Sequence, residues 1–411
     1  MKKISLILAA VTVIFLVGCA KDAPQPRPAN EATTFTELTV SKDFDWKMTS
    51  EVKCDFTATH TSKVALATAA NAEPFATFAV GDGIAPMVVS IARSTTSLYV
   101  SYETAQGTWK GSTIPVAQTI QYVVPADSRD YSIDQTRAAA KVKGQIVYPN
   151  YATWGTLLFE DMWPSYGDYD FNDWVISYRI EENLENNMVT DMLVKLNLNA
   201  ASGSLPFNFG MELRGPINSE IASITKAYQN KPAEKVTIKQ NTSPSDYATL
   251  WVYGMCEGTV RPAGSCYLNT EHGYELMPDQ LSQFSIKITF TRPIEQELLT
   301  QDQFNFFIGS VDNQNRHVEI HMGGQKPTSE AINDYTLIAR EHPNTKTSQG
   351  FYYSNTNLVW ALNVPATIKH AYERESFLDA YPDFATWAQS SGTLKAEWYN
   401  NGVADKLVRI R

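Results

Sequence analysis

Basic residues are outnumbered and unclustered: 34 Lys and Arg stand against 44 Asp and Glu, for a formal net charge of −10. With no basic stripe there is nothing to track a phosphate backbone, which excludes nucleic acid as a partner class. Cysteine is scarce, four in 411 residues, so this is no disulfide-dense scaffold, and a chain of this length buries its cores without such staples. Long apolar runs are lacking beyond the first twenty residues, so no later segment is a candidate bilayer-spanning helix. The usual catalytic signatures are missing as well: no Gly-x-Ser-x-Gly elbow, no His-Glu-x-x-His helix, no Gly-x-Gly-x-x-Gly after a strand and no phosphate-binding loop. What remains is ordinary globular composition, 43% hydrophobic and 19% charged. Its acidic balance suits an exported domain or a cation binder.

The N-terminus carries a charged start, MKK, and an apolar run, ISLILAAVTVIFLVG, too short for comfortable spanning. Leu16-Val17-Gly18-Cys19 resembles the lipobox of bacterial lipoproteins. That resemblance implies removal of residues 1–18 as a signal peptide and acylation of Cys19 as the first mature residue. Ala20, in place of an Asp, points to an outer-membrane lipoprotein whose only membrane contact is its lipid anchor. Residues 19–34, with three prolines and few large apolar side chains, read as an extended tether.

From 35 to 126, short runs rich in β-branched and aromatic residues (VKCDFTA, FATFAV, MVVSIA, SLYVSYE, TIQYVV) recur about every ten residues, the signature of a small antiparallel β-sandwich. Polar residues 127–144 read as a linker. From 145 to 411 strand patterns resume (GQIVYP, TWGTLLFED, NDWVISYRIEE, MVTDMLVKLNLNA, FNFGMEL, KVTIKQ, ATLWVYG, FSIKITF, QFNFFIGS, RHVEIHMG). The clearest helical spacing is ERESFLDAYPDFATWAQS, where Pro382 predicts two short helices rather than one and Gly392 ends the pattern. The expected fold is therefore all-β with minor α: an N-terminal β-sandwich followed by a larger sandwich-like domain with short C-terminal helices.

The chemistry concentrates in GDYDFNDWV, residues 167–175. Asp168, Asp170 and Asn172 lie at alternate positions, with Asp173 adjacent. A short loop of this kind converges oxygens on a hard dication such as Ca²⁺, which takes six to eight oxygen ligands. An EF-hand is excluded: Asp173 stands where that loop needs Gly, no Glu follows at the twelfth position, and no helices flank it. Crowded carboxylates repel, and no Lys or Arg lies between Gln145 and Tyr178 to offset them. Glu160 and Asp161, just upstream, add carboxylates if the Pro-Ser-Tyr-Gly turn folds that strand back. Two other readings stay open: Asx turns that cap backbone donors, and a catalytic pair, Glu160 or Asp161 with Asp173.

Cys256 and Cys266 flank a turn-rich segment that a disulfide would close, leaving Cys54 as a buried small hydrophobe. His317, Glu319 and His321 share one strand face over about 13 Å, too far for all three to reach one metal; Glu319 and His321 are expected as supporting residues, hydrogen-bonding to a neighbouring loop. The nine Trp and 20 Tyr offer sugar-stacking faces but are equally explained by cores.

LLFEDMWPSYGDYDFNDWVISY is similar to the opening motif of the LruC-type domain, a domain of unknown function common in lipoproteins of Bacteroidetes. VEIHMGGQKPT, LVWALNVP and YPDFATWAQSSGTLKAEWY resemble its later motifs in order, and DFDWKMTSEVKCDF resembles the start of a module that often precedes it. Met322 and Val359 depart from its usual pattern, away from the acidic loop. The resemblance implies a β-rich, exported, lipid-anchored protein without known activity, with Asp168, Asp170, Asn172 and Asp173 as Ca²⁺ ligands. The expected function is non-enzymatic adhesion or glycan or protein binding at the cell surface. The alternatives are a glycan-acting hydrolase and a structural subunit of a surface filament or assembly.

Overall fold

In β10 (Trp174–Glu185) and β11 (Met188–Ala201), apolar side chains alternate with polar ones: Tyr178 and Ile180, then Val194, Leu196 and Leu198, are buried. The two strands pair antiparallel across a two-residue turn, Asn186-Asn187, whose φ values of 48° and 64° suit a primed hairpin turn. The computed structural model describes residues 32, 34–132, 141–203, 205–345 and 350–409. Cys19, the expected leader, most of the expected tether and residues 133–140 of the expected linker lie outside these residues.

β10 and β11 sit in an eleven-stranded sheet. On one side of them come β16 (Gln283–Glu295) and the edge strand β13 (Ile221–Gln229). On the other come β8 (Lys143–Tyr148), β3 (Ala76–Val80), β2 (Ser62–Ala67), β5 (Ser97–Glu103) and the edge strand β6 (Trp109–Pro115). A branch off β10 adds β9 (Gly155–Phe159) and β19 (Ala361–Val364). A three-stranded sheet places β1 (Thr49–Thr57) between β4 (Met87–Ala92) and β7 (Thr119–Val123), the last parallel to it. A five-stranded antiparallel sheet runs β14 (Thr237–Gln240), β15 (Tyr247–Tyr253), β12 (Asn208–Ile217), β17 (Phe304–Val311), β18 (His317–His321). One large apolar core draws on all three sheets, from Val52 and Met87 through Ile176 and Leu196 to Leu250 and Phe306.

The fold is all-β with minor α, as expected. The division at 127–144 does not separate two sheets, however: β3 pairs with β8, and residues Ala32–Arg411 form one compact unit. The free edge of β3 accepts β8 because both strands bury one face in the same core.

The helices are α1 (Ile332–Glu341), α2 (Phe377–Ala380) and α3 (Phe384–Gln389). As the proline predicts, α2 and α3 are separate, and Gly392, at φ 80°, donates its N–H to Trp387 O at 2.8 Å, beyond the end of α3. Their apolar faces build a second, aromatic core with Phe35, Phe44, Trp46, Tyr169, Phe171 and Trp398. Phe35 stacks on Tyr169 with ring centroids 4.2 Å apart.

Candidate metal centre

Strands β9 and β10 pair up to Phe159 opposite Trp174, so Glu160 leaves one strand where Asp173 enters the other. The intervening loop returns on itself. Tyr169 and Phe171 hold positive φ, 55° and 54°, an arrangement that costs bulky residues roughly 1–3 kcal/mol each. Two interactions offset that cost. The rings of Tyr169 and Phe171 enter the aromatic core, while their backbone N–H groups donate to Glu160 Oε2 at 3.2 Å and Oε1 at 2.6 Å. Asp168 and Asp170 are thereby brought against Glu160. One oxygen from each of these three residues lies within 4.8 Å of the others. Oxygens around a Ca²⁺ ion at about 2.4 Å are separated by at most about 4.8 Å, so the three fit a single ion. Each Glu160 oxygen keeps a second lone pair for a cation. A Cβ at Gly167 would collide with Glu160 Oε2, so a larger residue there would displace that carboxylate.

The electrostatics favour the same partner. Glu160 is fully buried and Asp170 is 2% exposed. Burial, then the neighbouring Asp173 and Asp170, push the Glu160 carboxyl well above its ordinary range. Burial, then Asp168, push Asp170 up to about 8, and burial, then Asp161, push Asp173 up to about 7. No Lys or Arg side chain is among the groups that set these three shifts. At such separations each like-charged pair costs about 3 to 4 kcal/mol at an effective dielectric of 20. A divalent cation converts that repulsion into attraction.

Among the carboxylates, Asp168 and Asp170 join Glu160, whereas Asp173 falls outside this three-residue group. Asn172 donates to Ala371 O at 3.3 Å and accepts from Ser202 Oγ. Asp173 accepts from the Asp161 N–H at 2.8 Å, which pins the mouth of the loop. Asp161 accepts from the Leu205 N–H at 3.4 Å, and a Cβ at Gly203 would lie 2.8 Å from its Oδ2. Part of the motif is thus engaged in hydrogen bonds of the turn, and Asp168 and Asp170 stand with Glu160 at a spacing that one cation could bridge.

One residue escaped the sequence reading. Glu373, two hundred residues downstream, has its carboxyl raised by burial and then by Asp168, and its Oε2 is buried without a hydrogen-bond partner among the described residues. Nothing in the sequence marks it, because only the tertiary fold carries it to the loop.

Glu319 and His321 face one way on β18 and bond to each other at 2.9 Å, and Glu319 accepts from Thr328 of the following loop. The expected disulfide is not formed; Cys256 and Cys266 are both free, as is the buried Cys54. Cys256 packs against the main core, its thiol pushed up to about 12 by burial. Cys266 is exposed in a turn gathered by Glu271, which accepts from its N–H at 2.7 Å.

Residues 187–399 match the family described as a domain of unknown function, DUF4842. The chain belongs to this family. DUF4842 is a family without assigned activity, in keeping with the unknown-domain resemblance read from the sequence, and the acidic loop precedes the matched segment. A crystal structure described as a candidate lipoprotein from Bacteroides ovatus superposes with a TM-score of 0.63 at 18% identity, covering 85% of this chain and 99% of that one. The two share the fold. No curated protein matches the chain. No helix among the described residues is long and apolar enough to cross a membrane.

Proposed function

We propose that this DUF4842 protein is a non-enzymatic, lipid-anchored protein of the outer membrane whose β body is stiffened by Ca²⁺ and serves adhesion or glycan or protein binding. The carrying observation is the fully buried Glu160 carboxylate gathered with Asp168 and Asp170. When bound, the ion cross-links the end of β9 to the loop, and Glu160 holds that loop against the aromatic core. The lipobox-like Leu16-Val17-Gly18-Cys19, the LruC-type motifs and the fold shared with a candidate lipoprotein support the envelope reading.

Against the hydrolase alternative stands burial. Glu160 and Asp161 are 0% and 3% exposed, whereas a glycosidic acid or base must meet its substrate in an open cleft. The filament reading gains no specific observation.

Calorimetric titration of residues 21–411 with Ca²⁺, beside a chelator-treated control, tests the cation site. Heat of binding and a raised melting temperature are expected. Absence of both, in folded protein, removes the proposal.

A further inference from the structure

The five-stranded sheet has a second face. Ala248, Leu250 and Val252 of β15 enter the main core, as do Phe209, Met211 and Leu213 of β12 and Phe304 and Phe306 of β17. Strand alternation therefore sends Tyr247, Glu212, Asn305, Glu319 and His321 to the opposite side. There the segment following β18 crosses the sheet and closes a cleft of about 530 Å³, whose lining includes Glu212, Arg214, Asp246, Tyr247, Lys326 and Ser329.

The floor of this cleft is a buried polar chain. Glu212, 4% exposed, accepts from Arg214 Nε at 3.1 Å, Asn305 Nδ2 at 3.2 Å and Thr249 Oγ1 at 3.3 Å. Asn305 Oδ1 meets His321 Nδ1 at 2.7 Å, and His321 Nε2 meets Glu319 Oε2 at 2.9 Å. Glu319 accepts the Thr328 N–H at 2.9 Å and its hydroxyl at 2.6 Å. Arg214 also donates to Lys326 O. Buried ionic chains of this kind add little stability compared with apolar packing. What this one achieves is position: it fixes Glu212, Arg214 and the 326–328 backbone at the cleft.

The charge in the cleft is balanced. Glu212 offsets Arg214, and Asp246 is of opposite sign to Lys326, so an anion finds no surplus positive charge. Ser329 Oγ donates to Asp246 Oδ2 at 2.6 Å, holding that carboxylate in place on the rim. Tyr247, 47% exposed, presents an aromatic ring beside these groups. Fixed carboxylate, guanidinium and hydroxyl groups beside an open ring suit a ligand that is hydroxyl-rich on its edges and apolar on its faces. The volume lies within the usual range for small-molecule sites, about 300–1,000 Å³.

We propose that this cleft, on the outer face of the five-stranded sheet, binds a neutral sugar unit of a glycan, with Tyr247 against the ring face and Glu212, Arg214 and Asp246 on its hydroxyls. The inference rests on the reading of this chain as a binding protein, but not on the cation site, which lies elsewhere. The test is a printed array of neutral, N-acetylated, uronic and sulfated glycans probed with Ca²⁺-supplemented residues 21–411, followed by calorimetric titration of the hits and of inorganic phosphate. Binding of a neutral glycan is expected. Tyr247→Ala and Asp246→Asn are each expected to weaken it about tenfold, the loss of one good ring or polar contact, with the melting temperature unchanged. No neutral hit with folded protein, binding confined to acidic glycans or phosphate, or full affinity in both variants overturns the proposal. Ca²⁺ titration of the same sample separates the two readings: sugar binding without Ca²⁺ binding removes only the cation site, and the reverse result removes only the cleft.

Discussion

Glu160 Oε1 accepts the backbone N–H of Phe171 at 2.6 Å, so the carboxylate that ends β9 is the post around which the acidic loop is wound. Asp168, by contrast, is exposed and contributes charge more than architecture. The two are predicted to separate on mutation. Asp168→Asn relieves like-charge repulsion, leaves metal-free stability unchanged or slightly higher, and weakens Ca²⁺ binding about tenfold or more. Glu160→Ala strands two buried N–H groups and lowers metal-free stability by roughly 2–5 kcal/mol. Denaturant melts with and without chelator distinguish the outcomes; equal behaviour of the two variants contradicts the assignment.

The pH dependence follows from the raised carboxyls. Without metal, burial and neighbouring carboxylates push Asp170 up to about 8 and Asp173 up to about 7, well above the ordinary aspartate range. A raised folded pKa favours the protonated fold, so this contribution is present below about pH 4 and is lost as pH rises through 7 and 8. Ca²⁺ competes with those protons. The melting-temperature gain on adding Ca²⁺ is therefore predicted to be small near pH 5 and large near pH 8. A gain that shrinks with rising pH contradicts the site.

Much of the fold was legible in the sequence because period-two alternation survives wherever one strand face meets the core. Four strands escaped notice, each for a physical reason: β2 is buried on both faces apart from Lys63 and so shows no alternation. β6 and β13 are edge strands exposed or half-exposed along their length, so neither carries an apolar face to read. β19 is four residues long. Helix α1 buries only Tyr335, Ile338 and Ala339, too brief a stripe to stand out. Of the site, Asp168 and Asp170 could be read from spacing. The central role of Glu160 could not, because it depends on two left-handed residues reversing the chain. The merging of the expected N-terminal sandwich with the later strands was equally hidden, since the β3–β8 pairing spans two residue pairs, Ala76 with Ile146 and Thr77 with Gln145.

Glu182 offers a prediction about stability alone. It is fully buried, neither carboxyl oxygen has a hydrogen-bond partner among the described residues, and burial raises its carboxyl well above the ordinary range. Such a group is held neutral; its contribution is present below the ordinary carboxyl range and is lost as pH rises through the raised value. Glu182→Met keeps the volume and removes that cost, and is expected to stabilise the protein by about 1–3 kcal/mol at neutral pH. Urea titration measures it; a destabilised variant would show that Glu182 has a partner.

Thiol labelling checks the cysteines. Cys266 is exposed, Cys256 is half-buried and Cys54 is 2% exposed. In native protein from residue 21, Cys266 is predicted to react with an aromatic disulfide reagent well before the other two, whose thiols burial raises to about 12. Denaturation should expose three thiols without any reductant. One thiol in place of three would reveal a Cys256–Cys266 bridge.

The contact between Phe35 and Tyr169 has a mechanical side. Phe35 is the first fully packed side chain of the described body, and its ring lies on that of Tyr169, whose neighbours Asp168 and Asp170 hold the cation in our reading. A pull arriving from the N-terminal direction, as drag on a tethered protein would produce, is borne first by this stack and then by the carboxylates behind it. An occupied loop would act as a rivet at the point of greatest load, and calcium withdrawal would lower the force at which the body begins to peel.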